Sequence, residues 1–228
     1  MPPQTMVCPA RARPFSSIAA LGLVALACLV PGCAFSHPEP LNQARMLVQK
    51  GRPAEAAQEL EAELRKHPEA VAERRLLVRV YASMGQLGHA QEQARQLAEV
   101  LGPQSPVPSI ELGFALELNH RYDEALEQYD LAAQIAPSDA LGPLTGGLRA
   151  ARWGEAELAE PRLVEGLRRD PRNAEGWHTL GLTRARLGNL DGAAAAYRSG
   201  LRADPQALDN RVGLATIAVL RGDPSAAL

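Results

Sequence analysis

The 228-residue sequence predicts an all-α fold, an α-solenoid of stacked helix-turn-helix units behind a short apolar leader. Three columns of residues carry the prediction. Prolines stand at Pro68, Pro103, Pro137, Pro171 and Pro205, and alanines at Ala56, Ala90, Ala125, Ala159, Ala193 and Ala227, each 34 or 35 residues from the next. Glycines at Gly51, Gly85, Gly154, Gly188 and Gly222 keep the same phase, with His120 in the one place where glycine is missing. A fixed period of this length marks one supersecondary unit repeated along the chain. The proline and alanine columns both place their single extra residue between Ala90 and Pro103, so the two agree independently. Composition removes other classes: 46% hydrophobic and 22% charged residues suit a globular chain. With 24 basic against 26 acidic residues there is no basic field to hold nucleic acid.

Taken in order, the first element is a leader over residues 1–32. It carries Arg11 and Arg13, no acid, and an apolar run over residues 18–30. A bilayer-spanning helix needs about 20 apolar residues, so this shorter run reads as a secretory signal. Next comes Val30-Pro31-Gly32-Cys33, which resembles the lipobox of bacterial lipoproteins, although Pro31 departs from the small or aliphatic residue usual there. Cys28 competes less well, because cleavage before it would leave Leu29 and Val30 of the apolar run on the mature chain. The resemblance implies an acylated, palmitate-bearing Cys33 at the mature N-terminus. Ala34, in place of the aspartate that marks inner-membrane retention, implies an outer-membrane anchor facing the periplasm. Residues 33–40 form the tether, and its segment 34–40 reaches at most about 25 Å when extended. All three cysteines, Cys8, Cys28 and Cys33, lie in this region, so the rest of the chain has no disulfide or cysteine-built zinc site. Loss of residues 1–32 removes two arginines and no acid, leaving a net charge of −4 from 22 basic and 26 acidic residues.

The repeats occupy residues 41–228. Units read 37–70, 71–105, 106–139, 140–173, 174–207 and a partial 208–228, about five full repeats plus a partial sixth. In unit 174–207, helix A is expected over 174–187, Gly188-Asn189 turns the chain, and helix B runs over 190–202 before Asp204-Pro205 stops it. Ala193 is small where helix B approaches helix A, and Tyr197 fills the wider gap one turn later. Pro161 falls inside helix B of its unit, which predicts a kink or a late helix start. The partial unit supplies a helix A over 211–220 and reaches Ala227-Leu228 inside helix B. Some of Val212, Ile217, Val219 and Leu220 are then expected to lie uncovered, the mark of a truncated coding sequence or of an apolar end that docks on a partner or a second copy.

Trp177-His178-Thr179-Leu180-Gly181, followed by Ala193, Tyr197 and Pro205, resembles the tetratricopeptide repeat signature W-x2-L-G, A-x3-F, P. Ile110, Leu112-Gly113, Ala125, Tyr129 and Pro137 repeat it. The resemblance implies a right-handed superhelix of stacked repeats whose helix A row lines a concave groove. Inward positions would be Arg45, Arg75, Arg79, Phe114, Leu118, Leu148, Arg152, His178, Leu182 and Arg186, apolar in the middle units and basic toward both ends. Such a groove suits an extended or helical peptide held by apolar anchors, with arginines pairing with its carboxylates.

No catalytic constellation competes with this reading. The histidines His37, His67, His89, His120 and His178 show no H-E-x-x-H and no metal-ligand spacing, and the glycines follow the repeat rather than a P-loop or dinucleotide pattern. Asp123-Glu124 and Glu155 with Glu157 stand at helix B starts, where acids favour the helix dipole. The expectation is therefore a non-enzymatic scaffold without cofactor or metal, membrane-anchored through its lipid, that binds another envelope protein or peptide segment. Its layout, a lipobox followed almost at once by repeats, is similar to type IV and Tad pilus assembly lipoproteins. A partner-binding lipoprotein of another envelope pathway and the N-terminal part of a longer, enzymatic protein remain the alternatives.

Overall fold

A computed structural model describes residues 38–222 and contains eleven α-helices among them. They pair as α1 (Pro38–Gln49) with α2 (Pro53–Lys66), α3 (Val71–Ser83) with α4 (Leu87–Leu101), α5 (Val107–Leu118) with α6 (Tyr122–Ile135), α7 (Leu141–Trp153) with α8 (Ala156–Arg169), and α9 (Ala174–Arg186) with α10 (Leu190–Ala203). The last helix, α11 (Leu208–Leu220), is the A helix of the sixth unit. The leader, Cys33 and Ala227-Leu228 lie outside the described residues.

Five of the six A helices end at a left-handed glycine, and the third, α5, ends at His120 instead. In the fifth unit the Gly188 N–H donates to the Ala185 carbonyl at 3.0 Å and the Asn189 N–H to the Arg184 carbonyl at 2.9 Å, a Schellman closure. It requires a left-handed residue, and Gly188 has φ 78°. Helix B then starts at once. Asn189 accepts the Gly192 N–H at 2.8 Å, capping α10, as Asn173 caps α9 by accepting from Gly176 at 2.7 Å.

The helices pack each on the next, and α1 also touches α3, α3 touches α5, α7 touches α9 and α9 touches α11, the A helices of neighbouring units. Buried residues accordingly form a succession of clusters along the stack rather than one centre. The alanine column lies at the tightest contacts, with Ala56, Ala90, Ala125, Ala159 and Ala193 fully buried. Tyr197 of α10 sits where a Cβ on Gly181 of α9 would come within 2.4 Å of its ring and one on Gly213 of α11 within 2.5 Å. Glycine is thus required on both sides of the tyrosine.

Two boundaries differ from the expectation. α1 begins at Pro38, inside the stretch assigned to the tether, because proline's fixed φ and missing N–H suit the first turn of a helix. α8 starts at Ala156, in register with the other B helices, so of the two outcomes expected from Pro161, a kink or a late start, the late start does not occur. The Ala159 N–H already reaches the Glu155 carbonyl at 2.9 Å, so the first turn closes before Pro161. Pro161 is exposed, and the helix continues past it to Arg169.

Candidate binding groove

Side chains three and four residues apart share one face of a helix, and on α5, α7 and α9 such faces line two adjoining cavities. The larger, about 490 Å³, runs from Phe114 of α5 across Thr145, Leu148, Arg149 and Arg152 of α7 to Glu175, Thr179, Leu182, Thr183 and Arg186 of α9. The smaller, about 280 Å³, is bounded by Arg79 of α3, Phe114, Glu117 and Leu118 of α5, and Arg149. Phe114 and Arg149 belong to both.

The electrostatics are organised around two carboxylates. Glu111, fully buried on α5, receives the Arg75 Nε–H at 2.7 Å and the Arg79 Nε–H and Nη2–H at 2.6 and 2.9 Å. Burial of a lone carboxylate is prohibitively costly, and these charge-assisted bonds are what allow it. Both guanidiniums remain about half exposed above it, at 44% and 46% of the side chain. Glu117 takes longer contacts, from Arg149 Nε at 3.4 Å, the Trp153 indole N–H at 3.3 Å and the Tyr129 hydroxyl at 3.4 Å. Burial, with the Glu117 charge beside it, pushes the Tyr129 hydroxyl above the ordinary phenol range. The guanidiniums of Arg79 and Arg149 lie 5.0 and 4.7 Å from the centre of the Phe114 ring, within cation–π reach.

Of the residues expected to face the groove, Phe114, Leu148, Arg152, Leu182 and Arg186 line the larger cavity, and Arg79, Phe114 and Leu118 the smaller. Arg75 joins Arg79 over Glu111. His178 lines neither; its ring lies 5.7 Å from that of Tyr197, and its buried Nδ1 has no hydrogen-bond partner. Arg45 is exposed on α1, away from both cavities. The middle of the groove is also less apolar than expected, because Arg79 and Arg149 converge on Phe114 there. Glu111, Glu117, Arg149 and the threonines Thr145, Thr179 and Thr183 were not anticipated. The two acids stand three residues to either side of Phe114, a helical spacing that could have drawn attention to them.

Residues 41–106, 144–208 and 178–228 match the tetratricopeptide repeat family, covering more than half of the chain. The chain belongs to the tetratricopeptide repeat family. Among solved structures, the tetratricopeptide fold of this chain is similar to that of TTC0263, a thermophilic member from Thermus thermophilus. The two are 26% identical, covering 80% of this chain and 98% of that one, with a TM-score of 0.53. PilW, described as a widely conserved type IV pilus biogenesis factor, is 22% identical over 83% of this chain and 88% of its own, at a TM-score of 0.56. MamA from residue 41 onward, from Desulfovibrio magneticus RS-1, is 20% identical over 69% and 88%, at 0.54. No curated protein matches the chain. Tetratricopeptide folds are interaction scaffolds, and the cavities across α5, α7 and α9 lie where one extended segment could touch three successive repeats.

Proposed function

We propose that this tetratricopeptide protein is a non-catalytic scaffold, lipid-anchored through Cys33 in the bacterial envelope, whose groove binds an apolar, acidic segment of another envelope protein. The observation that carries the reading is the composition of the larger cavity: Leu148 and Leu182 offer apolar anchor sites, and Arg149, Arg152 and Arg186 outnumber the one carboxylate in the lining, Glu175. Arg152 has no ion-pair partner among the described residues, and Arg186 donates only to the Ala151 carbonyl, at 3.2 Å, so both keep their charge for an incoming carboxylate. This local excess of positive charge in a chain of net charge −2 favours an acidic partner.

Within that class, assistance in assembling a pilus, secretion or other outer-membrane complex is the pathway we favour, on the layout of a lipobox leader leading directly into repeats. The likeness to PilW is one of fold and adds no partner of its own. The experiment is cross-linking of the full chain in envelopes, beside a variant carrying Leu148→Glu and Arg186→Glu. Binding is then repeated with synthetic segments of whichever protein is recovered. An acidic, apolar segment that binds the native groove and not the variant is the expected result; segments that bind both equally would remove the groove from the proposal. Cys33→Ala should move the protein out of the membrane fraction and abolish acyl labelling, and labelling that persists would assign the lipid elsewhere.

A further inference from the structure

Away from the groove, the turn between α5 and α6 holds a feature that the repeat does not require. Four other A-to-B turns, and the turn after α11, use glycine at φ 70–95°, whereas His120 takes the left-handed conformation at φ 60°. A non-glycine residue there is uncommon and strained. Its ring Nδ1 lies 3.0 Å from the Tyr122 hydroxyl, and the two rings meet edge to face at 6.0 Å. Tyr122, 40% exposed, packs in turn against Trp153 of α7, with centroids 4.8 Å apart and planes tilted by 47°. These rings are particular to this turn, although Trp153 also packs against the core and donates its indole N–H to Glu117. The residues that open α2, α4, α8 and α10, the sister positions of Tyr122, are Pro53, Leu87, Ala156 and Leu190, and the residues matching Trp153 are Lys50, Met84, Asn119, Leu187 and Arg221.

The rings form one side of a cavity of about 440 Å³ whose other lining residues include Asp123, Glu155 and the pair Arg121 with Glu124. Arg121 and Glu124 neutralise each other through a paired ion contact. Asp123 and Glu155 make no ion pair among the described residues and meet only the helix starts at which they stand, so the cavity carries two carboxylates without a cationic side chain beside two aromatic ones. Aromatic faces attract cations through the ring quadrupole, and carboxylates supply the complementary charge.

We propose that this turn-edge cavity between the third and fourth repeats binds a lysine or arginine side chain from a basic segment of a partner protein, its cation against Tyr122 and Trp153 and its charge met by Asp123 and Glu155. The cavity shares no lining residue with the groove, and Trp153 links the two through its indole N–H on Glu117. It would add a second, oppositely charged contact to whatever the groove holds, or serve a different partner.

The chain has two tryptophans, so a Trp177→Phe background makes the emission of Trp153 a local reporter. The probe is an acetylated, amidated dodecapeptide of four Gly-Ser-Lys repeats, added to the full chain at physiological salt, with the lysines replaced by glutamine as control. Saturable change in Trp153 emission with the lysine peptide and none with the control is expected. Tyr122→Leu borrows the residue that two sister positions already carry and should weaken binding roughly tenfold with the fold intact. Asp123→Asn with Glu155→Gln, both exposed, provides the second variant and should weaken it comparably. Affinity unchanged in both variants would mean that the peptide adsorbs elsewhere on an acidic protein, and would overturn the site. A silent Trp153 would do the same. Phosphatidylcholine vesicles that change the emission when the peptide does not would replace the protein segment with a lipid headgroup.

Discussion

At the scale of single residues, stability is concentrated where a ring from a B helix slots between two A helices. Tyr197 is the clearest case, since a methyl group on Gly181 would stand 2.4 Å from its ring. Gly181→Ala should therefore lower stability by about 1–3 kcal/mol, read as a fall in melting temperature. Gly88, exposed in the first turn of α4 with open space around it, provides the contrast: alanine there should stabilise by about 0.4–1 kcal/mol through the unfolded chain. The same buried phenols set an alkaline limit. Burial raises the Tyr129 and Tyr197 hydroxyls above the ordinary value of 10.0, and burial with the Glu61 contact holds Tyr81 at about 12. A group whose folded pKa is raised contributes stability that is complete below its unfolded pKa and is lost as pH climbs toward the folded one. Urea midpoints should accordingly hold steady up to about pH 10 and fall above it. Tyr129→Phe should shrink that fall, and an alkaline limb of unchanged depth would show that the phenol ionises without unfolding. The resemblance to tetratricopeptide repeats is what put Phe114, Leu148 and Leu182 on the groove side, and all three line the larger cavity. The same resemblance misplaced His178, since one residue along a helix turns the side chain by about 100°. The spacing of Glu111 from Phe114 was legible but its burial was not, because that depends on two arginines 36 and 32 residues away, on a different helix.

At the scale of elements, the repeat columns located the helix pairs because each column has its own physical cause: glycine for the left-handed turn, alanine for close approach, proline for the stop. Unit 174–207 shows how far this reaches. The expected helices 174–187 and 190–202 appear as Ala174–Arg186 and Leu190–Ala203. What periodicity could not supply was the response of α8 to Pro161, because a repeat tolerates an interior proline when neighbouring helices fix its helix from both sides. That tolerance has a cost. Pro161 donates no N–H to the Glu157 carbonyl and sits on an exposed surface where alanine would fit. Pro161→Ala should raise the unfolding free energy by about 1–3 kcal/mol, below the full helix-interior penalty because the fold has already adapted. Denaturant unfolding measures it directly, and a variant less stable than the native chain would mean that the ring packs against something the exposure does not reveal.

At the scale of the whole molecule, neighbouring repeats are tied by polar contacts that recur at about the period of the sequence. Arg75 and Arg79 of α3 reach Glu111 of α5, Arg162 of α8 reaches Asp130 of α6, and the Asn210 side-chain amide of α11 donates to the Ala174 carbonyl at 3.0 Å. Each tie joins only adjacent units, as do the core clusters, so stability is a sum of nearest-neighbour terms rather than the property of one core. A unit packed on both sides opens only when two interfaces break; one at an end of the described stack breaks one. The difference is visible in α11, where Val212, Val219 and Leu220 are 56%, 62% and 62% exposed while Ile217 on the covered face is 2% exposed. Native-state hydrogen exchange of the full chain should therefore show a gradient. Amides of α6, α7 and α8 should exchange slowest, with α1 and α11 at least tenfold faster, a difference of about 1.4 kcal/mol in local opening. Adding denaturant should merge the end helices into global unfolding last, since their opening exposes the least surface. Uniform protection from α1 to α11 would instead show the repeats opening as one cooperative unit, with the polar ties coupling neighbours more strongly than the exposed face of α11 implies.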